Sequence, residues 1–224
     1  MGEGFITRRG SSVVLIEFKN YYNPVEGLTR STPTPLSASR SRLAGASVGN
    51  YALFAGGSGT SNVVDAYDTS LTRSTPTALS TARSDLAGAS IGAYALFAGG
   101  YDGSDNYFNV VDAYNTSLTR STPTPLLVSR SRLAGASVGD YALFAGGYIV
   151  GGTSNVVDAY NTSLTRSTPT ALSTARSDLA GASIGAYALF AGGNRSNGTS
   201  SVVYAYNTSL TRSTPTALST ARSD

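Results

Sequence analysis

The chain has 224 residues and a formal net charge of +3, and only 13% of its residues are charged, against roughly 25% in an ordinary globular protein. It contains no cysteine, histidine or tryptophan. Those absences exclude disulfides, thiolate metal sites and every nucleophile system that depends on a cysteine or a histidine.

Met1–Gly10 lacks the apolar run of a secretory signal, and no stretch approaches the roughly 20 apolar residues that span a bilayer, so neither a leader nor membrane insertion is expected. Gly2 stands where a myristoylation signal begins, but Ile6 occupies the place such a signal gives to serine or threonine. Ser12–Phe18 reads as a strand, and Leu28–Leu36 carries a proline-bearing sequence, L-T-R-S-T-P-T-P-L, that returns downstream.

From Leu43 the chain repeats itself. The sequence L-A-G-A-S begins at Leu43, Leu86, Leu133 and Leu179, at spacings of 43, 47 and 46 residues, and continues each time through Y-A-L-F-A-G-G, V-V-x-A-Y and L-T-R-S-T-P-T. A period of this length, built from short strand-like segments, predicts a β-propeller whose blades are the repeats.

In the second copy, Leu86–Ser90 is small and apolar, as a crowded innermost strand requires. Ile91–Ala93 makes a turn, and Tyr94–Ala98 is a buried strand closed by Gly99 and Gly100. Val110–Tyr114 is a third strand, with Val111 and Ala113 on one face and Val110, Asp112 and Tyr114 on the other. Asn115–Ser117 turns the chain into an outermost strand expected over Leu118–Leu126, where Pro123 and Pro125 suit an edge. No segment has a sustained helical period.

The fold class expected is therefore all-β, a single propeller domain over residues 1–224. Residues 43–85, 86–132, 133–178 and 179–224 are four blades. Residues 1–42 form a degenerate fifth, with Phe18–Tyr22 standing where V-V-x-A-Y stands elsewhere, or else an N-terminal strand or arm beside four blades. Repeats one and three follow S-R-S-R, whereas two and four follow A-R-S-D, which reads as duplication of a two-blade unit.

The order of strand, double glycine, Val-x-x-Tyr and arginine resembles the kelch repeat. Gly56–Gly57, Gly99–Gly100, Gly146–Gly147 and Gly192–Gly193 match its double glycine. Tyr67, Tyr114, Tyr160 and Tyr206 match its tyrosine, and Arg83, Arg130, Arg176 and Arg222 its arginine. The resemblance covers residues 43–224 and implies four-stranded blades. It departs at the kelch tryptophan, replaced by Ser74, Ser121, Ser167 and Ser213, so packing between blades must differ.

Function is expected in the variable loops that follow the double glycines, because equivalent loops of a propeller emerge at one end. Tyr101, Tyr107, Phe108 and Tyr148 supply aromatic area, and Asp102, Asp105, Asn106, Asn194 and Arg195 supply polar groups. Aromatic platforms beside short polar groups suit a glycan or a protein surface ligand. Asp102 and Asp105 miss the spacing of a calcium loop, so no metal or other cofactor is expected. Asp65, Asp112 and Asp158, with Tyr204 in the fourth copy, recur opposite Arg73, Arg120, Arg166 and Arg212 and read as structural pairs. The arginines are spread by the repeat rather than clustered, which argues against a nucleic-acid partner. Catalytic residues are not expected.

The opening Gly4–Gly10 resembles the start of tail-associated proteins of phages and prophages of Gram-positive bacteria, and so do the V-D-A-Y-N-T-S-L-T-R-S-T-P-T repeats. That resemblance implies a virion or cytoplasmic location and other virion proteins as partners. Oligomerisation is expected through blade edges or the N-terminal arm. A stand-alone lectin-like propeller is the alternative.

Overall fold

The computed structural model describes residues 32–223 together with Arg8–Arg9 and Ser12–Val13. Two compact units divide the chain, Met1–Thr32 and Pro33–Asp224. In the first, Arg8–Arg9 pairs antiparallel with Ser12–Val13. The expectations for Phe18–Tyr22 and for residues 28–31 lie outside the described residues.

The second unit contains one antiparallel sheet per repeat, three of four strands and one of five, and a separate two-stranded pairing of Tyr148–Ile149 with Gly152–Thr153. Blade one comprises Ala44–Val48, Tyr51–Ala55, Val64–Tyr67 and Arg73–Ser74. Blade two comprises Ala87–Ile91, Tyr94–Ala98, Val111–Asn115 and Arg120–Ser121. Blade three comprises Ala134–Val138, Tyr141–Ala145, Val157–Asn161 and Arg166–Ser167. Blade four comprises Ser177–Ile184, Tyr187–Arg195, Val203–Asn207 and Arg212–Ser213, with Gly198–Thr199 added at its loop. No helix occurs among the described residues.

The blades stand in chain order, inner strand beside inner strand. A Cβ on Gly88 would collide with the carbonyl oxygen of Gly45, and Gly135 and Gly181 meet Gly88 and Gly135 in the same way. Glycine is required there because two backbones approach closer than any side chain allows. Serines stitch the same strands together: the Ser47 N–H donates to Ser90 Oγ at 2.9 Å, and the Ser137 N–H donates to Ser183 Oγ at 2.8 Å.

Each seam between blades buries apolar faces from both sides. Leu96, Val111 and Ala113 of blade two meet Ala142, Phe144 and Tyr160 of blade three. Phe144 and Tyr160 cross edge to face, 6.0 Å between ring centres, and the other blades repeat this with Phe54–Tyr67, Phe97–Tyr114 and Phe190–Tyr206. Three of these pairs fill seams in a chain without tryptophan, and Phe54–Tyr67 lies on the face of blade one that no other described blade covers. Fully burying one such side chain contributes about 1.5–3 kcal/mol.

The outermost strand is shorter than the sequence predicts. Only Arg120–Ser121 joins the sheet of blade two, not Leu118–Leu126. Pro123 and Pro125 have no N–H to give a ladder, and the segment crosses instead to the next blade as a strap. The Tyr160 hydroxyl donates to the Thr124 carbonyl at 2.8 Å, the Leu127 N–H to Asp158 Oδ1 at 3.1 Å, and Arg130 Nη2 to Asp158 Oδ2 at 2.7 Å. The strap also returns bonds to the blade it left, the Leu126 N–H to Asn109 and the Arg130 N–H to Phe108.

The recurring aspartates and arginines are thus structural. Asp65, Asp112 and Asp158 are fully buried, and each meets a strap arginine and a more exposed arginine of its own outer strand. In blade four Tyr204 replaces the aspartate and accepts from Arg176 Nη2 at 2.9 Å.

Candidate functional site

One end of the blades carries the variable loops, and the repeat fixes what each loop meets. The residue after each double glycine lies beside the serine that ends a strap. Ser84 and Tyr101 exchange backbone hydrogen bonds at 2.9 Å, and Ser131 and Tyr148 do so at 3.0 and 2.7 Å. Ser177 pairs with Asn194 in register. The first loop residue is thereby held next to the residue that follows that serine.

Those following residues are Arg42, Asp85, Arg132 and Asp178, and they converge at the axis. A chain of backbone bonds links them: the Asp85 N–H to the Arg42 carbonyl at 3.0 Å, Arg132 to Asp85 at 2.8 Å, Asp178 to Arg132 at 3.0 Å. Their φ angles are 56°, 54°, 51° and 53°, the left-handed region that side chains other than glycine seldom occupy. Their charges alternate, with Arg42 Nη1 3.8 Å from Asp85 and Arg132 Nε 4.0 Å from Asp178. With Leu43, Leu86, Leu133 and Leu179 they line an axial cavity of about 270 Å³.

Outside these four residues the tyrosines form a row across blades two and three. Tyr101 and Tyr107 lie 5.2 Å apart between ring centres, and Tyr107 and Tyr148 lie 5.8 Å apart. The Arg132 guanidinium stands 5.9 Å from the Tyr148 ring centre, within reach of the ring's negative face. Tyr101, Tyr107, Ser131, Arg132 and Tyr148 enclose about 280 Å³. A neighbouring cavity, also about 280 Å³, is lined by Arg132, Tyr148, Thr153, Asp178, Asn194 and Arg195, with Gly152, Ser177 and Ser196. Arg132 borders all three cavities. Desolvation first, then the nearby Tyr148 hydroxyl, pushes the Tyr107 phenol above its ordinary range.

Five of the nine residues expected from the sequence therefore line the two outer cavities: Tyr101, Tyr107, Tyr148, Asn194 and Arg195. Asp105 is attached to the row, its Oδ1 accepting from the Tyr101 hydroxyl at 3.4 Å and its N–H donating to the Tyr101 hydroxyl oxygen at 3.3 Å. Asp102 and Asn106 are spent inside their own loop. Asn106 Nδ2 donates to Asp102 Oδ2 at 2.7 Å, and the Ser104 N–H donates to Asp102 Oδ1 at 2.8 Å. These bonds hold the Asp102 carboxyl below the usual carboxylate range, the one from Asn106 foremost. Phe108 is not brought to the site; its N–H donates to Gly100 and its carbonyl accepts from Arg130.

Arg132, Asp178 and Ser131 were not among the expected residues. Their signal in the sequence is the alternation of S-R-S-R with A-R-S-D, which marks duplication and, in the fold, sets the alternating charge around the axis. No group of three or more acidic side chains poised for a metal occurs among the described residues.

No family model and no curated protein matches the chain. Among solved structures it is similar to one titled "Structure of YjhT", with a TM-score of 0.71 at 13% identity, covering 86% of this chain and 70% of that one. That likeness shows the fold: an all-β, propeller-like array of four-stranded antiparallel sheets.

Proposed function

We propose that the chain is a non-catalytic, kelch-like binding propeller of a phage or prophage virion, presenting its variable-loop end to a host surface or a virion partner. The observation that carries the reading is the tyrosine row Tyr101–Tyr107–Tyr148 with Arg132 at its inner end. Two tilted ring contacts give a broad, rigid, half-exposed aromatic platform with hydroxyls at its edge, and such platforms bind flat apolar faces while their polar groups fix orientation. The cavities of about 280 Å³ fall just under the ~300–1,000 Å³ of sites that engulf a small molecule, which favours a surface ligand lying across the row.

A non-catalytic role is supported by how the nearby carboxylates are engaged. Asp85 faces Arg42, Asp178 faces Arg132, and Asp102 is bonded within its loop. The virion assignment rests on the sequence resemblances alone. A second reading, a stand-alone lectin, is favoured by the same tyrosine faces, since sugar rings stack on them.

Binding to host-cell envelopes and to a glycan array tests both. Retention on envelopes that is lost in Tyr148→Ala supports the site, saturable binding to a defined glycan moves the reading to the lectin, and binding unchanged by Tyr107→Ala and Tyr148→Ala sinks it.

A further inference from the structure

We propose that blade four of one chain docks, head to tail, on blade one of a second copy, through the kind of seam that already joins blades two and three.

Among the described residues nothing covers the two faces concerned. Ile91 of blade two is 4% exposed beneath blade three, whereas its counterpart Ile184 in blade four is 66% exposed. Phe144 of blade three is fully buried against blade two, whereas its counterpart Phe54 in blade one is 36% exposed. Beside Phe54 lies a cavity of about 660 Å³, walled by Pro35, Leu36 and Gly45 among others. Exposed apolar faces of this kind mark an interaction surface.

The occupant follows from the repeat. Residues 179–193 are identical in sequence to residues 86–100, so blade four offers the strands that blade two offers to blade three. Residues 43–57 match 133–147 except at Asn50 and Asp140, so blade one offers the strands that blade three offers to blade two. The pair of open faces is thus a pair that the chain itself shows to be complementary. The inner-strand glycines agree. Gly181 is seated on the Gly135 carbonyl, but a Cβ on Gly45 would meet only atoms of blade one, leaving room for the Gly181 carbonyl of another copy.

The straps complete the match. Every internal seam holds one strap, bonded backward to the blade it leaves and forward to the blade it enters. Among the described residues, residues 33–42 show the forward half: the Tyr67 hydroxyl donates to Thr34 at 2.7 Å and Arg40 to Asp65 at 2.7 Å. Residues 215–222 have only the backward half: the Leu218 N–H donates to Ser201 at 2.8 Å and the Arg222 N–H to Ser200 at 3.0 Å. Residues 33–40 and 215–222 are identical at five of eight positions, the proline, threonine, leucine, serine and arginine, and one strap satisfies both halves of a seam. Arg40 is buried on its aspartate whereas Arg222 is exposed with only Thr220 for a partner. In the docked pair residues 33–42 of the incoming copy therefore take the seam and residues 215–222 are displaced.

Such an interface is heterologous, joining two different surfaces, and it builds a ring or an open filament rather than a two-fold dimer. Sedimentation of the intact chain is expected to show mass above one chain that rises with concentration. Ile184→Arg spoils the front face and Gly45→Val the back face. Ile184 is 66% exposed and a Cβ on Gly45 makes only ordinary contacts within blade one, so each variant is expected to stay close to the wild-type melting temperature while weakening association at least about 30-fold. Mixing the two variants leaves one intact pair of faces, and a complex of two chains, no larger, is expected. A wild-type chain that stays monomeric overturns the proposal, whether its own residues 1–31 or another protein covers the faces. So does a mixture that fails to form the two-chain complex, or association untouched by either substitution.

Discussion

Arg130 Nη2 donates to Asp158 Oδ2 at 2.7 Å, and neither side chain has any exposed surface. Asp158 also accepts from the Leu127 N–H and from Arg166 Nη1 at 3.0 Å, so one carboxylate holds the strap to blade three. Burial pushes the Arg130 guanidinium downward and Asp158 opposes it. Removing one partner of such a pair strands a buried charge, which costs about 3–5 kcal/mol. Asp158→Ala is expected to lose that much in a denaturant titration. The chain contains a milder alternative, since Tyr204 occupies the equivalent place and accepts from Arg176. Asp158→Tyr is therefore expected to destabilise less than Asp158→Ala, and the reverse order would show that the aspartate acts otherwise than by receiving the strap arginine.

Acid should loosen the first strap. Burial pushes the Asp65 carboxyl up, but hydrogen bonds from Ser37 and Arg40 outweigh it and hold the group below its ordinary range. A depressed carboxylate contributes stability that is fully present above its unfolded value, roughly 3.9, and disappears as pH falls through the lower folded value. The stability gap between wild type and Asp65→Asn is expected to be constant near neutrality and to shrink once the pH drops below about 4. A gap that stays constant into acid would place the stabilising charge elsewhere.

Gly88 and Gly45 stand at the same place in successive repeats, yet they are expected to respond differently to alanine. A methyl on Gly88 runs into the Gly45 carbonyl, backbone that cannot move aside without opening the seam, whereas a methyl on Gly45 makes only ordinary contact with Phe54 at 3.7 Å. Overpacking of this kind costs about 1–3 kcal/mol. Gly88→Ala is expected to lower the thermal midpoint by several degrees, while Gly45→Ala leaves it within error.

The blade architecture was legible because it repeats. Small residues on the inner strand, the double glycine and the V-V-x-A-Y strand each point to one local structure, and repetition made each visible four times. The outermost strand was misread because an edge position and a crossing segment both tolerate proline; what separates them is the Tyr160 hydroxyl on Thr124 and the Asp158 carboxylate on Leu127, partners on a different repeat. Tyr101, Tyr107 and Tyr148 stood out as departures from the repeat. Arg132 did not, because it obeys the repeat, and its meeting with Tyr148 depends on a left-handed φ of 51° that no residue type announces.

The loop of blade two offers the sharpest test of the binding site, because its two adjacent aromatics face different surroundings. Tyr107 lies between Tyr101 and Tyr148, and Phe108 lines neither outer cavity while its backbone is tied to Gly100 and Arg130. Truncating an aromatic at the centre of a recognition patch typically costs 2 kcal/mol or more, about 30-fold in affinity. Tyr107→Ala is expected to show that loss on the ligand-bearing surface with an unchanged melting temperature, and Phe108→Ala to bind as the wild type does. Asp102→Ala should fall between them. It touches none of the cavities, but it removes the carboxylate that receives Asn106 and Ser104 and so loosens the loop that presents Tyr107. If Phe108→Ala weakens binding as much as Tyr107→Ala, the ligand is read by the whole loop and not by the tyrosine row.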